Sequence, residues 1–192
     1  MPRPTTTPAR QAQIAAALRR LLPTKGFSGA SIKAIAQEAQ LAPGLVHHHF
    51  TSKAAILMRV VDDLAEALQQ RAPQTSEGPA DIHALIDAWL LPGPGADAQA
   101  VLCWAAIGAE AARRDDVRQV YAAAVARQVD RFTEALSAHA PGRPPEDLRG
   151  IAVMLYAAIE GSFRLHASAP GTIPPGAAAP ALHALVDAWL TA

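Results

Sequence analysis

Apolar residues recur every three or four positions along most of the chain, and no stretch alternates apolar and polar residues as a half-buried strand does. From about Ala9, Ile14, Leu18, Leu21 and Leu22 fall on one face of a helix that Pro23 and Gly26 are expected to end. Ser31 then stands where an N-cap belongs, before a helix to about Ala39 with Ile32, Ile35, Ala36 and Ala39 inward. Ala34 occupies the place of the Glu or Gln that would complete a capping box. After a turn at Gln40–Ala42, Pro43 suits the first turn of a short third helix, where its missing N–H has no partner to lose. That helix ends near His49 and Phe50. Ser52 can cap a fourth helix over Lys53–Arg71, with Ile56, Leu57, Val60, Val61, Leu64 and Leu68 on its apolar side. Residues 1–8, with Pro2, Pro4 and Pro8, read as a flexible arm.

The remainder predicts helices at about Ala80–Leu91, Ala96–Arg114, Asp116–Ala140, Glu146–Ala167 and Ala177–Leu190. Breaks fall at Ser76–Pro79, Pro92–Gly95, Pro141–Pro145 and Pro170–Gly176. The expected fold is all-α, with about nine helices. An N-terminal three-helix unit at 9–53 is joined by a long helix to a C-terminal helical bundle within 54–192. IHALIDAWL at 82–90 resembles LHALVDAWL at 182–190. Two copies so far apart do not make a solenoid, and they read as two helices with similar packing tasks.

Charge sharpens the division. The chain of 192 residues has a net charge of zero, but its first 53 residues carry seven Lys/Arg against Glu38 alone, a net +6. The rest carries the balancing −6. A basic first third points to a polyanion partner for that part only. Cys103, the one cysteine, excludes an intrachain disulfide and a cysteine-based zinc site and fits a reducing cytoplasm. The opening residues lack a secretory apolar core. No run reaches the roughly 18 apolar residues of a membrane span. No Gly-rich phosphate loop or nucleophile elbow is present, so neither a catalytic residue nor a cofactor is expected. His47, His48 and His49 are adjacent on a helix, their side chains roughly 100° apart, and cannot converge on one metal ion. His83 and His183 read as partly buried structural histidines, Asp62–Asp63 as a polar face, and Arg113–Arg114 with Asp115–Asp116 as a solvated helix junction.

The segment from Gly26 to Leu57 carries the chemistry. Two short helices joined by a tight turn and followed at once by a long helix make a helix-turn-helix, whose second helix enters the DNA major groove. Ile35, Ala36, Ala39, Leu41, Val46 and Phe50 are spaced to pack, leaving Pro43, Gly44, Leu45, His47 and His48 outward on the recognition helix at about 43–49. Gly26-Phe27, Ser31, Ile35-Ala36, Gly44, Val46, His49-Phe50 and Ser52-Lys53 match the pattern of the TetR family of bacterial repressors, which this chain resembles over about 45 residues.

The resemblance implies base contacts by Pro43, Gly44, Leu45, His47 and His48, and backbone contacts by Ser31, Lys33, His49 and Lys53. Lys53 joins positive charge to the N–H groups of a helix start, a favourable phosphate site. The departures are Gln40 for the usual turn glycine, Ala42 for the usual capping serine, Leu45 for a small polar residue and His47 for tyrosine. If position 40 needs a positive φ, glutamine costs roughly 1 kcal/mol there. With no arginine on the face, bidentate guanine reading has no obvious source, and Leu45 is able to touch a thymine methyl.

For the C-terminal half, the resemblance implies ligand binding and a homodimer through the last two helices, where Ala157, Ala158, Gly161 and residues 177–184 offer small contacts. Trp104, Glu110 and Ala158-Ile159-Glu160-Gly161 look like ligand-domain features of that family. Trp89, Trp104, Tyr121, Phe132, Tyr156 and Phe163 are candidates for an effector pocket as a set, although each singly reads more readily as core. The function implied is a dimeric repressor on a near-palindromic double-stranded DNA operator, released by an unidentified and mostly hydrophobic small molecule. A helical ligand-binding or scaffold protein with a degenerate helix-turn-helix stays open as the alternative, motivated by the uncapped third helix and Gln40.

Overall fold

A computed structural model describes residues 7–71, 81–90 and 98–191. Among the described residues there are nine helices and no strand: α1 (Thr7–Gly29), α2 (Ile32–Glu38), α3 (Pro43–His49), α4 (Lys53–Arg71), α5 (Ile82–Trp89), α6 (Ala98–Ala111), α7 (Asp115–His139), α8 (Pro145–Ser168) and α9 (Ala178–Thr191). The expected helix ends at Ala80, Leu91 and Ala96, the breaks at 76–79 and 92–95, and the arm up to Thr6 lie outside the described residues.

Three details differ from the sequence pattern. Thr7 and Pro8, expected in the flexible arm, already belong to α1, because proline is tolerated in the first turn of a helix. Pro23 does not end α1 but lies inside it, and the break comes at Gly26, with φ 63° and ψ 176°. Proline removes one ladder hydrogen bond, and the burial of Leu18, Leu21 and Leu22 around it outweighs that loss. A backbone turned to Gly26's angles leaves the helix altogether. α6 stops at Ala111, short of Arg114, where the Arg113 N–H closes a tighter turn on the Glu110 carbonyl that the Arg114 N–H shares.

The helices form two compact units. The first gathers α1, α2, α3, α4 up to Ala65, α6 and α7 up to Ala124. Ile14, Leu18, Leu22, Phe27, Ile35, Val46, Ile56, Leu57 and Ile107 form its core, and α1 packs on α2, α3 and α6. The second gathers α4 from Glu66, α5, α7 from Val125, α8 and α9. Ile82, Ile86, Trp89, Phe132, Leu136, Ile159 and Val186 are buried in it.

In the second unit, α5 is started by Asp81, whose carboxylate accepts from the Ala84 N–H at 2.9 Å. The repeated sequence acquires a physical reason where α5 meets α9. Each copy places His and Asp four residues apart, hence on one helix face. His83 Nε2 lies 2.9 Å from Asp187 and His183 Nε2 3.0 Å from Asp87, with the two rings 4.6 Å apart. The crossed pairing requires the two helices to run antiparallel. Both Nε2 atoms sit at ion-pair distance without the alignment of a hydrogen bond.

Candidate nucleic-acid interface

The helix-turn-helix is held by caps and by two glutamines. The Ser31 hydroxyl accepts from the Ala34 N–H at 3.1 Å, at extended backbone angles, and so starts α2. α2 ends in a Schellman motif: Leu41 N–H donates to the Ala36 carbonyl at 2.8 Å and Gln40 N–H to the Gln37 carbonyl at 3.0 Å. The motif needs a left-handed residue, and Gln40 supplies it with φ 57°. Ala42 gives α3 no side-chain cap, and Pro43 opens the helix. From α1, Gln13 Nε2 donates to the Ala39 carbonyl at 2.6 Å and Gln11 Nε2 to the His49 carbonyl at 3.3 Å. These bonds fix the C-terminal ends of α2 and α3 against α1. Arg20 adds an ion pair to Glu38.

α3 buries Val46 alone and turns the rest outward. Pro43, Gly44, His47 and His48 are exposed, and His49 is half-buried with its ring edge-on to His48. Leu45 is 41% exposed, a large apolar side chain at the surface. A Cβ on Gly44 would meet nothing within 4 Å, so the helix surface there is open to a close-approaching backbone. Ser31 and Lys33 are exposed at the start of α2.

Lys53 sits at the start of α4, where the Ser52 hydroxyl accepts from the Ala55 N–H at 3.1 Å. Its ammonium donates to the Phe27 carbonyl at 2.6 Å and lies 4.3 Å from the centre of the Phe27 ring. Burial, then the charge of Arg114, pushes the Lys53 pKa below its ordinary value, and Asp116 and Glu110 partly oppose this. One of the ammonium's three protons is therefore committed within the chain. Gln11, Gln13 and Phe27 are participants that the pattern of apolar residues does not reveal, because each acts across more than twenty residues of sequence.

The aromatic candidates separate. In the first unit, Trp104 and Tyr121 pair with ring centres 5.1 Å apart. In the second, Trp89 contacts both Phe132 and Tyr156, each at 5.9 Å, and Phe163 is buried. The Tyr156 hydroxyl donates to Glu160 at 2.6 Å. Trp89 Nε1 and the Gln128 carbonyl oxygen are buried without a hydrogen-bond partner. Among the described residues no three His, Cys, Asp or Glu side chains are gathered to hold a metal ion, and no helix is long and apolar enough to cross a membrane.

Comparison with known proteins agrees with this architecture. Residues 14–60 match the family described as bacterial regulatory proteins, tetR family. Residues 79–191, more than half of the chain, match the C-terminal region of BetI-type transcriptional repressors. The HTH-type transcriptional regulator BetI of Rhizobium meliloti (strain 1021) is 26% identical over 166 residues, covering 85% of this chain and 80% of that protein. A solved TetR-family regulator from Rhodococcus sp. superposes with a TM-score of 0.78 at 18% identity, covering 93% of this chain and 97% of its own. A transcriptional regulator from Saccharomonospora viridis in complex with choline superposes with a TM-score of 0.63 at 19% identity, covering 97% of each chain. These two structural likenesses concern the fold. The match of both halves to regulators favours the DNA-binding reading over a helical scaffold, and the family is one of regulators rather than enzymes. With its capped helix-turn-helix and exposed α3 face, the chain belongs to the TetR family and is a DNA-binding transcriptional regulator.

Proposed function

We propose that the protein is a cytoplasmic repressor that binds a near-palindromic operator as a homodimer and is released by a small molecule. Residues 9–53 form the DNA-binding part, and 54–192 serve sensing and dimerisation. The observation that carries the reading is the exposed face of α3 within a segment of net charge +6. Pro43, Gly44, Leu45, His47 and His48 face the bases, and Ser31, Lys33, His49 and Lys53 face the phosphates. Leu45 offers apolar contact to a thymine methyl rather than a hydrogen bond to guanine.

The dimer reading is supported by the outer faces of α8 and α9. Val153, Met154, Leu165 and Leu185 are exposed there beside small Ala157, Ala158, Ala181, Ala184 and Ala188. Exposed apolar residues grouped on helix faces favour burial against a partner surface. The effector reading is supported by Trp89 Nε1 and the Gln128 oxygen, a buried donor and a buried acceptor lacking partners. Such groups cost roughly 1–3 kcal/mol each unless something bonds to them. A bound molecule with an acceptor for the Trp89 N–H, or a donor for the Gln128 oxygen, would satisfy one of them. The choline bound by the Saccharomonospora regulator shows that a related fold holds a small molecule.

The test is fluorescence anisotropy with a duplex from upstream of the protein's own gene, or one selected by the protein from a randomised pool. Affinity should fall steeply with salt, by about 0.9 in log K per log salt for each phosphate contact. Lys53→Ala should weaken binding about tenfold, the worth of one charge-assisted hydrogen bond. Leu45→Ala should relax the preference at one base pair. Absence of salt-dependent binding to every duplex would overturn the reading, and a scattering mass of one chain at micromolar concentration would overturn the dimer.

A further inference from the structure

Arg114 lies in the junction between α6 and α7, which the sequence pattern presents as merely solvated. Its guanidinium grips Asp116 with two hydrogen bonds, at 3.1 and 2.8 Å. It also stands 5.2 Å from the centre of the Phe27 ring. Phe27 is 1% exposed and offers the same ring, and its carbonyl, to the Lys53 ammonium. Two cations therefore share one aromatic ring, an arrangement that the ring quadrupole favours and their mutual repulsion opposes. Glu110 completes the group. Its carboxylate lies so close to Gly26 that a Cβ there would come within 2.7 Å of it. The cluster thus holds two cations, Lys53 and Arg114, and two anions, Glu110 and Asp116, around the break in α1 at Gly26.

We propose that Arg114 is a positioning residue for DNA binding, which keeps Lys53 presented to the DNA backbone by occupying Asp116 and supporting the Phe27 ring. The inference rests on the reading of Lys53 as a phosphate contact. The physical reason is competition for one ammonium. Lys53 feels the attraction of both Asp116 and Glu110, and the repulsion of Arg114. With Arg114 in place, the Asp116 carboxylate is satisfied by a fork of two hydrogen bonds, the strongest arrangement available to it. Without Arg114, Asp116 keeps the Val117 N–H as a partner at 3.0 Å but has lost its counter-ion, beside a ring that has lost one of its cations. The remaining cation of the cluster is Lys53, which is then drawn toward the carboxylate and away from a phosphate. Arg114 thereby acts on DNA through the charge balance at Phe27, with no contact of its own to the duplex.

The experiment is a set of anisotropy titrations on a duplex selected by the wild-type protein from a randomised pool, with a melting curve recorded for every variant. Lys53→Ala should weaken binding about tenfold and lower the salt slope by about 0.9. Arg114→Ala should weaken binding several-fold, toward the level of Lys53→Ala. Three further results are expected. Arg114→Lys retains most of the affinity, because it keeps a cation on Asp116. Arg114→Ala combined with Asp116→Ala recovers affinity, because the competing carboxylate is gone. Arg114→Ala added to Lys53→Ala costs nothing more, since coupled residues are not additive. A structural role alone would not produce recovery by Asp116→Ala. The proposal is overturned if Arg114→Ala binds like wild type, or if it weakens Lys53→Ala further, which would mark a direct phosphate contact. If Lys53→Ala itself binds like wild type, the phosphate reading of Lys53 falls first, and this proposal falls with it.

Discussion

Replacing Gln40 by glycine should stabilise the protein. Gln40 occupies the left-handed position of the Schellman motif with φ 57°, between Ala39 at φ −79° and Leu41. Left-handed backbone costs a residue with a Cβ about 1–2 kcal/mol. Glycine escapes that strain but loses more backbone freedom on folding, about 0.5–1 kcal/mol. The net gain is therefore about 0.5–1 kcal/mol, provided the bonds from Gln40 N–H to Gln37 and from Leu41 N–H to Ala36 are kept, and both are backbone bonds. In a chain of this length that corresponds to a rise of about 2 °C in Tm. Urea unfolding followed by far-ultraviolet circular dichroism measures it, as a higher midpoint at unchanged slope. Gln40→Val supplies the opposite sign, because a β-branched residue tolerates positive φ least. A midpoint for Gln40→Gly equal to or below wild type at the same slope would refute the reasoning, since it would mean that glutamine carries no strain there.

Two further outcomes follow from the first unit. Gly26→Ala should destabilise by about 1–3 kcal/mol from backbone angles that only glycine adopts readily, with an added clash against Glu110; Gly29→Ala, whose Cβ would meet only Lys25 Cβ at 3.4 Å, should change thermal stability little and serves as the control. The Cys103 thiol is fully buried and its pKa is pushed up by burial from 9.0 to about 12, with Arg19 opposing. It should react with a thiol reagent at neutral pH only after denaturation. Because the unfolded thiol ionises first, its contribution to stability should be intact below pH 9.0 and decline as pH rises toward about 12, which denaturant midpoints of wild type and Cys103→Ala compared across that range would show.

Local physics makes the helices of this chain readable. Ser31 and Ser52 cap where a hydroxyl precedes an apolar period, and Pro43 opens α3, because each of these signals acts within one turn. Gln40 is instructive in the same way. The positive φ expected of the usual glycine at that position persists when the glycine is absent, so the turn is fixed by its neighbours and not by residue 40. What escapes the sequence is held by distance. The side-chain hydrogen bonds from Gln11 and Gln13 that set α3 and α2 against α1, and the bond that the Phe27 carbonyl accepts from the Lys53 ammonium, join residues brought together only by the tertiary fold. Arg114 reads as solvated because its neighbours in sequence are charged, whereas its neighbour in space is an aromatic ring. The aromatic residues show the limit of composition. Six of them stand as pocket candidates on equal terms in the sequence, but only the side chain of Trp89 among them carries a buried donor without a partner.

The crossed histidine–aspartate pairs of α5 and α9 impose an ambiguity on folding. HALIDAW and HALVDAW present the same histidine–aspartate pair, so the polar recognition between these helices is self-complementary. A free α9 carries everything needed to receive another α9, His183 to Asp187 of a second chain and the reverse. The histidine–aspartate pairs do not distinguish the correct mate from a copy; the connection within the chain does so, by making one mate far more concentrated than the other. Selectivity here is a matter of effective concentration, and crowding many unfolded chains together is the condition that erodes it.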